Sequence, residues 1–340
     1  MIQDFIVDLE KFEIIGEIGE GSFGKVYLVK EIESGKLLSA KVTKKECITA
    51  LDQTSFFKEI TIFSRVKNPA VLSLFGFNMM NFANEHYPTI LTEYMPNGSL
   101  DQVLKNNSYF PSSKKYIILL GIAEGMKYLH SQNIIHRDLK PGNILLDQYF
   151  YPHICDFGES KISQLSTSSI MMDTCRGTPA YMAPEVIMEE QYTYKVDVYS
   201  FSLIAYELLT GIKPFTECKA VYKFLRDIKN GKRPNINTID DEEIKAFLTK
   251  CWSSEPKNRP SFPEIVDEIR LLKYRRLMNA NDSEVIQYLR LFGEDIKNNK
   301  SPSRQIKSTS IFNYINRPSP LRKAKKKKKK KFNKKMLKRE

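Results

Sequence analysis

The 340 residues are 41% hydrophobic, enough to bury a sizeable core in one large or two modest domains. The formal charge of +13 is not spread over the chain: residues 322–340 hold 13 of the 53 Lys and Arg against one acid, Glu340, so residues 1–321 are near neutral and carry no general polyanion signal. Five cysteines without CxxC pairs exclude a zinc or disulfide framework, no run reaches the roughly 18 apolar residues of a membrane span, and the opening MIQDFIVDLEKF has acids where a secretory signal needs a positive flank, so the expectation is a reduced, intracellular chain, cytoplasmic or nuclear and not secreted.

From Phe12 to about Val42 apolar and polar residues alternate, broken by glycines and by a Ser34-Gly35 turn signal, which predicts three short strands. Residues 53–67 place Phe56, Ile60, Phe63 and Val66 on one helical stripe that ends before Asn68-Pro69. Strand-like runs follow at 71–77 and 89–94, then the loop Pro96-Asn97-Gly98. Beyond Gly98 the pattern turns helical, at 100–104, 114–130, 196–209, 220–230, 242–251 and 262–272. The fold class expected is therefore α+β with two lobes, the second ending near Lys273, followed by a helix at 282–298, a Ser/Asn/Pro-rich linker to Leu321 and the Lys run.

Three places carry chemistry. Gly19-Glu20-Gly21-Ser22-Phe23-Gly24-Lys25-Val26 lies between two strands, where glycines let backbone N–H groups approach phosphate oxygens; an ordinary hairpin turn uses glycines in the same way. A dinucleotide-binding turn would need a helix next, and KVYLV is a strand, so the context favours a flap over a nucleotide. Lys41 in LLSAKV alternates to the face beneath that flap, and Glu59, on the helix of residues 53–67, is placed to hold it as an ion pair; solvated charges are the alternative for both. In IIHRDLKPGNILL, Asp138 and Asn143 lie five apart on a loop, one carboxylate for an incoming hydroxyl and one amide oxygen for a cation. At roughly 5% per residue type, the seven fixed positions of HRDLKPxN arise by chance on the order of once in a billion starting points.

These motifs resemble the eukaryotic protein kinase family over residues 12–272, in the family's order: GEGSFGKV, Lys41, Glu59, HRDLKPGN, Asp156-Phe157-Gly158, Ala183-Pro184-Glu185, Asp197 and Arg259. The resemblance implies a bilobal fold with an N-lobe at 12–92, a hinge at 93–96 and a C-lobe at 97–272 after an extension at 1–11. It implies that Ile18 to Val26 cover ATP, that Lys41 contacts its α- and β-phosphates, and that the backbone of Glu93 and Met95 meets adenine above Leu145. Asn143 and Asp156 would hold Mg²⁺, Asp138 would take the acceptor's proton, and Lys140 would steady the γ-phosphate. His136 and Phe157 would stack with Phe63 and Leu74 as an apolar spine beside Gly158. Thr92 would control the back pocket, and Arg137 would order a segment bearing Ser163, Ser166, Thr167, Ser168, Ser169 and Thr174 when phosphorylated. His86, His130 and His153 are read as bystanders.

Lys140 and Gly177-Thr178-Pro179 look like the serine/threonine pattern, with Thr178 bonded to Asp138 and Lys140, while LTEYMPNGSL and CWSSEPKNRPSF look like tyrosine kinases. That mixture is similar to the tyrosine-kinase-like group, whose members act mostly on Ser and Thr. Ser39 stands where the family usually has Ala. The expected activity is γ-phosphoryl transfer from Mg·ATP to Ser/Thr hydroxyls of protein substrates; the alternative is a pseudokinase scaffold tethered by its tail. Residues 322–340 are expected to stay unfolded until bound, with an anionic membrane, nucleic acid or a nuclear-import partner as the three readings and a solvated tail with no dedicated partner as the alternative.

Overall fold

In the computed structural model, which describes residues 2–21, 24–47, 49–106, 110–162, 180–216 and 220–293, the alternating segment becomes β1 (Phe12–Glu20), β2 (Gly24–Glu31) and β3 (Leu37–Thr43). With β4 (Leu74–Asn78) and β5 (Thr89–Glu93) they form one antiparallel sheet, in the order β1-β2-β3-β5-β4. Gly35, at φ 72°, makes the turn before β3 that a Cβ would strain. In β3 Leu38 and Ala40 are fully buried, so period-two alternation turns Ser39 and Lys41 to the other, half-buried face. Register sets Lys41 between Val26 and Ile90.

Helix α1 (Ala50–Arg65) buries the expected stripe, Phe56, Ile60 and Phe63, and Val66 just beyond it is buried too. Its burial is shared with β4, where Phe77 meets Phe56 edge-on at 5.8 Å.

The second lobe is helical. Helix α2 (Leu100–Asn106) leads to α3 (Ser112–Ser131), which is buried along most of its length, including Ile117, Leu120, Ala123 and Leu129 of the expected inner face. Two small two-stranded sheets follow: β6 (Ile134–Ile135) pairs with β9 (Lys161–Ile162), and β7 (Ile144–Leu146) forms a hairpin with β8 (Pro152–Ile154). These runs of two or three residues are too short for periodicity to show. After α4 (Pro184–Ile187), α5 (Lys195–Thr210) ends on Gly211 at φ 68°, whose N–H caps the Glu207 carbonyl. Then come α6 (Val221–Lys229), α7 (Glu242–Cys251), capped by Asp241, and α8 (Phe262–Arg270), opened by a Ser261/Glu264 capping box. Against α3 pack α5, α8 and β8.

The packed body does not stop near Lys273. Helices α9 (Leu272–Leu277) and α10 (Asp282–Arg290) bury Tyr274, Met278, Val285, Tyr288 and Leu289 in the same core. Asn281 caps α10, and its own N–H donates to Ser113 Oγ at 2.8 Å, while Lys114 pairs with Glu284 at 3.1 Å. Tyr288 lies 4.7 Å from the Tyr151 ring, in a space that exists because residue 121 is glycine. A Cβ there would stand 2.2 Å from Tyr288 Oη and 2.4 Å from Pro152 Cγ. The helix expected to reach residue 298 is described to Arg290; residues 294–340, with the linker and the basic tail, lie outside the described residues.

Gly121→Val should therefore lower stability by about 1–3 kcal/mol through overpacking, read as a lower urea midpoint.

Candidate active site

The loop between β6 and β7 is held from beneath by one carboxylate. Asp197, on the first turn of α5, is fully buried; Oδ2 accepts from the His136 N–H at 2.9 Å and Oδ1 from the Arg137 N–H at 2.9 Å. A carboxylate oxygen can only accept, so His130 Nε2, at 2.8 Å from Oδ2, donates the third bond. Burial works against the charge of Asp197, yet His130, His136 and the Arg137 N–H outweigh it and hold its pKa below the ordinary aspartate value. Arg137 is thereby held at φ 69°, a left-handed backbone unusual for a residue with a Cβ. His130 is accordingly no bystander: it also packs on Tyr194 and Phe262. The signal for it was only its place at the end of α3, next to β6.

That anchored backbone converges the polar side chains. Lys140 Nζ lies 2.6 Å from Asp138 Oδ2. Asn143, nearly buried, donates through Nδ2 to the Asp138 carbonyl at 2.8 Å and to Asp138 Oδ2 at 2.9 Å. Those two bonds fix the amide so that Oδ1 is its remaining acceptor. The Cys155 N–H donates to the Asn143 carbonyl at 3.0 Å, tying this loop to Asp156. Asp156 itself is left-handed at φ 68°, and Phe157 beside it is buried.

Lys41 Nζ is 3.8 Å from Asp156 Oδ1. Burial lowers the Lys41 pKa, but Asp156 and Glu59 together overcome it and raise the value above that of an ordinary lysine. Glu59, on α1, is raised by burial against the opposing pull of Lys41. A Cβ on Gly158 would meet Asp156 Oδ1 at 3.5 Å and Glu59 Oε2 at 3.8 Å, so the two carboxylates flank that glycine. Phe63 stacks on Phe157 at 5.3 Å and Phe157 on His136 at 5.6 Å; Leu74 packs against the same core. His136 Nε2 donates to the Cys155 carbonyl at 3.0 Å, which fits a packing role and not a base.

At the back of the cleft Thr92 is nearly buried on β5, and its hydroxyl donates to the Glu93 carbonyl at 3.3 Å. Met95 is buried, and Leu145 sits half-buried on β7. His153, opposite Leu145, lies between Glu93 Oε1 at 3.7 Å and Asp147 Oδ2 at 3.8 Å, so it too has charged neighbours that its position in sequence did not reveal. In the glycine segment only Gly24 is demanded by packing, since a Cβ there would stand 2.1 Å from the Val42 carbonyl oxygen. Gly19 and Gly21 face open space, as room for a ligand requires. Ile18 is exposed on β1, Val26 is half-buried, and Glu20 and Lys25 pair with Lys44 and Glu17 at 2.8 and 3.2 Å. Ser22, Phe23, Thr178 and the Ser and Thr residues of 163–174 lie outside the described residues.

A second buried pair supports the segment after residue 180. Arg259 meets Glu185 with two bonds, Nη1 to Oε1 at 2.6 Å and Nη2 to Oε2 at 2.9 Å, and both residues are buried. Arg259 also donates to the Ser253 and Lys195 carbonyls and lies 5.1 Å over the Tyr199 ring, so its charge is fully matched. Arg137 donates to the Glu159 carbonyl and, at 3.0 Å, to Tyr192 Oη.

The donor set fits a magnesium ion. Asp156 and Asn143 offer one carboxylate and one amide oxygen, hard ligands of the kind Mg²⁺ combines with phosphate oxygens and water. Among the described residues no group of three or more His, Cys, Asp and Glu could hold a metal on its own.

Asp197 makes the fold sensitive to acid. Its stabilising contribution is complete above the ordinary aspartate pKa, and it is lost as the pH falls through the depressed folded value, because the unfolded chain takes the proton first. The stability difference between the native chain and Asp197→Asn should therefore narrow as the pH drops below about 4, followed by denaturant unfolding at each pH.

The protein kinase domain family matches residues 12–269. The chain is 36% identical over 268 residues to a probable serine/threonine-protein kinase of Dictyostelium discoideum, covering 78% of this chain and 28% of that protein. It is 30% identical over 269 residues to serine/threonine-protein kinase STY17 of Arabidopsis thaliana, covering 78% and 45%. It is 35% identical over 255 residues to dual specificity protein kinase shkB of Dictyostelium discoideum, covering 73% and 38%. The match thus spans less than half of each of these relatives. With the motif residues gathered in one cleft and the family matched across both lobes, the chain belongs to the protein kinase family.

Proposed function

We propose that the chain transfers the γ-phosphoryl group of Mg·ATP to Ser or Thr hydroxyls of proteins. The observation that carries this reading is the approach of two groups, Asp138 with Lys140 and Asn143 at 2.6 and 2.9 Å and Lys41 with Asp156 at 3.8 Å, joined where the Cys155 N–H donates to the Asn143 carbonyl at 3.0 Å. Phosphoryl transfer asks a protein mainly for positioning and for charge that matches the spread negative charge of the transition state. Lys41 supplies an ammonium from the N-lobe, kept charged by Asp156 and Glu59. Lys140 supplies one from the catalytic loop. Asp138, held by Asn143, orients the acceptor hydroxyl and receives its proton. Mg²⁺, when bound, would offset phosphate charge, with Asn143 and Asp156 as its protein ligands. The hinge backbone at Glu93 and Met95 binds adenine above Leu145, with Ser39 and Thr92 beside it. Phosphorylation within residues 163–174 would bring an anion toward Arg137.

Lys140 and Thr178 favour Ser and Thr as acceptors. One relative is named a dual specificity kinase, so tyrosine is the acceptor to compare. Labelled ATP and a generic protein substrate should give phosphoserine and phosphothreonine. Asp138→Asn and Lys41→Met should each lower kcat by at least about 10²-fold, the scale of a lost general base or electrostatic contact. Equal inactivity of all three proteins, with ATP still bound, would sink the enzyme reading.

Residues 322–340, with 13 Lys and Arg and a single acid, support attachment to a polyanion. The full chain should bind anionic vesicles or RNA in a salt-sensitive way and a chain ending at residue 321 should not, and a change in the cellular location of the shortened chain would point to an import partner.

A further inference from the structure

β4 is the last strand of the sheet, so its outer edge has no strand partner within it. Residues 2–7 occupy that edge. Ile6 pairs in parallel with Phe77, the Val7 N–H donates to the Phe77 carbonyl at 3.0 Å, and Asn78 Nδ2 donates to the Val7 carbonyl at 2.8 Å. Gly76 makes the approach possible: a Cβ there would stand 2.3 Å from Val7 Cγ1 and 2.8 Å from the Phe5 carbonyl oxygen. The turn Ile2–Phe5 that precedes the pairing lies against both β4 and α1. Its Ile2 and Phe5 side chains pack on the buried cluster that contains Phe56, Ile60, Phe63 and Phe77. On the α1 and β4 side of that cluster the rings of Phe56, Phe57 and Phe77 meet edge-on at 5.8 to 6.0 Å.

Helix α1 is the element that this packing grips, and two of its residues matter to the cleft. Glu59 stands beside Gly158 and acts on Lys41, and Phe63 stacks on Phe157. α1 meets the second lobe through Phe63 on Phe157 and meets β4 through Phe56 on Phe77, and residues 2–7 add their packing on the β4 side. We propose that this segment positions α1, with Phe5 as a positioning residue that keeps Glu59 and Phe63 where the cleft uses them. Segment 2–7 lies ahead of the family match, which begins at residue 12.

The catalytic readout rests on the phosphoryl-transfer reading; a second readout does not. Steady-state kinetics and hydrogen exchange by mass spectrometry are compared for the native chain, Phe5→Ala, Phe5→Leu, Gly76→Val and the milder Asn78→Ala. Phe5→Ala should lower kcat about tenfold, equivalent to about 1.4 kcal/mol in the balance between two helix positions, with KM for ATP changed by less than about twofold. Exchange should quicken in α1 and stay unchanged in α3 and α5. Phe5→Leu should restore most of the activity, Gly76→Val should copy the loss by ejecting Val7, and Asn78→Ala should fall between. A purely stabilising segment would lower the melting temperature while kcat per folded molecule and α1 exchange stayed as in the native chain; that result overturns the proposal. If the native chain is itself inactive, the phosphoryl-transfer reading fails, and α1 exchange alone decides the positioning claim.

Discussion

The buried carboxylate of Asp197 organises the catalytic loop. Taking a carboxylate out of water is costly, and the cost is met only because three N–H groups, from His130, His136 and Arg137, point at its two oxygens. Each bond also has a structural effect. The two backbone bonds hold Arg137 left-handed, and that turn sends Asp138, Lys140 and Asn143 to the same side of the loop. The bond from His130 ties the loop to the end of α3, a helix buried along most of its length. The reactive groups therefore inherit the rigidity of the core, while Asp138 and Lys140 stay partly exposed.

On the opposite wall a second balance operates. Lys41 is partly buried, which disfavours its charge, and Asp156 with Glu59 restores it. The arrangement depends on two elements distant in sequence, β3 and α1, meeting the segment after β8. What brings them together is apolar: Phe63, Phe157 and His136 stack in a row from the first lobe to the second. Charges supply the chemistry here, and aromatic packing supplies the alignment. The pair of Arg259 and Glu185 plays the corresponding part lower in the molecule, where a planar guanidinium satisfied on all sides joins the segment after residue 180 to the end of α7.

Much of this was legible in the chain. Period-two alternation located the strands, the stripe of Phe56, Ile60, Phe63 and Val66 located α1, and the spacing of Asp138 and Asn143 marked a loop with two separate tasks. The boundaries at both ends were not. Composition drifts after Lys273, yet Val285, Tyr288 and Leu289 repeat at helical spacing and are buried, a pattern of three residues too brief to outweigh the polar residues around it. Gly76 and Gly121 recorded both extensions, since each is a glycine because a side chain from far along the chain fills its place. A glycine alone does not say which residue fills it.

The histidines show the same division. His130 and His153 have no motif around them, and what they do depends on carboxylates that stand 67 residues away for His130 and on the hinge for His153. The sequence by itself determined the local conformations, the α+β class and the residue types available for phosphoryl chemistry, because these follow from neighbours a few positions apart. Tertiary structure alone decided which charges meet, which backbone turns are held left-handed and where the packed body ends. Those outcomes depend on long-range burial, and a buried charge or ring settles against whichever partner the folded core brings within reach.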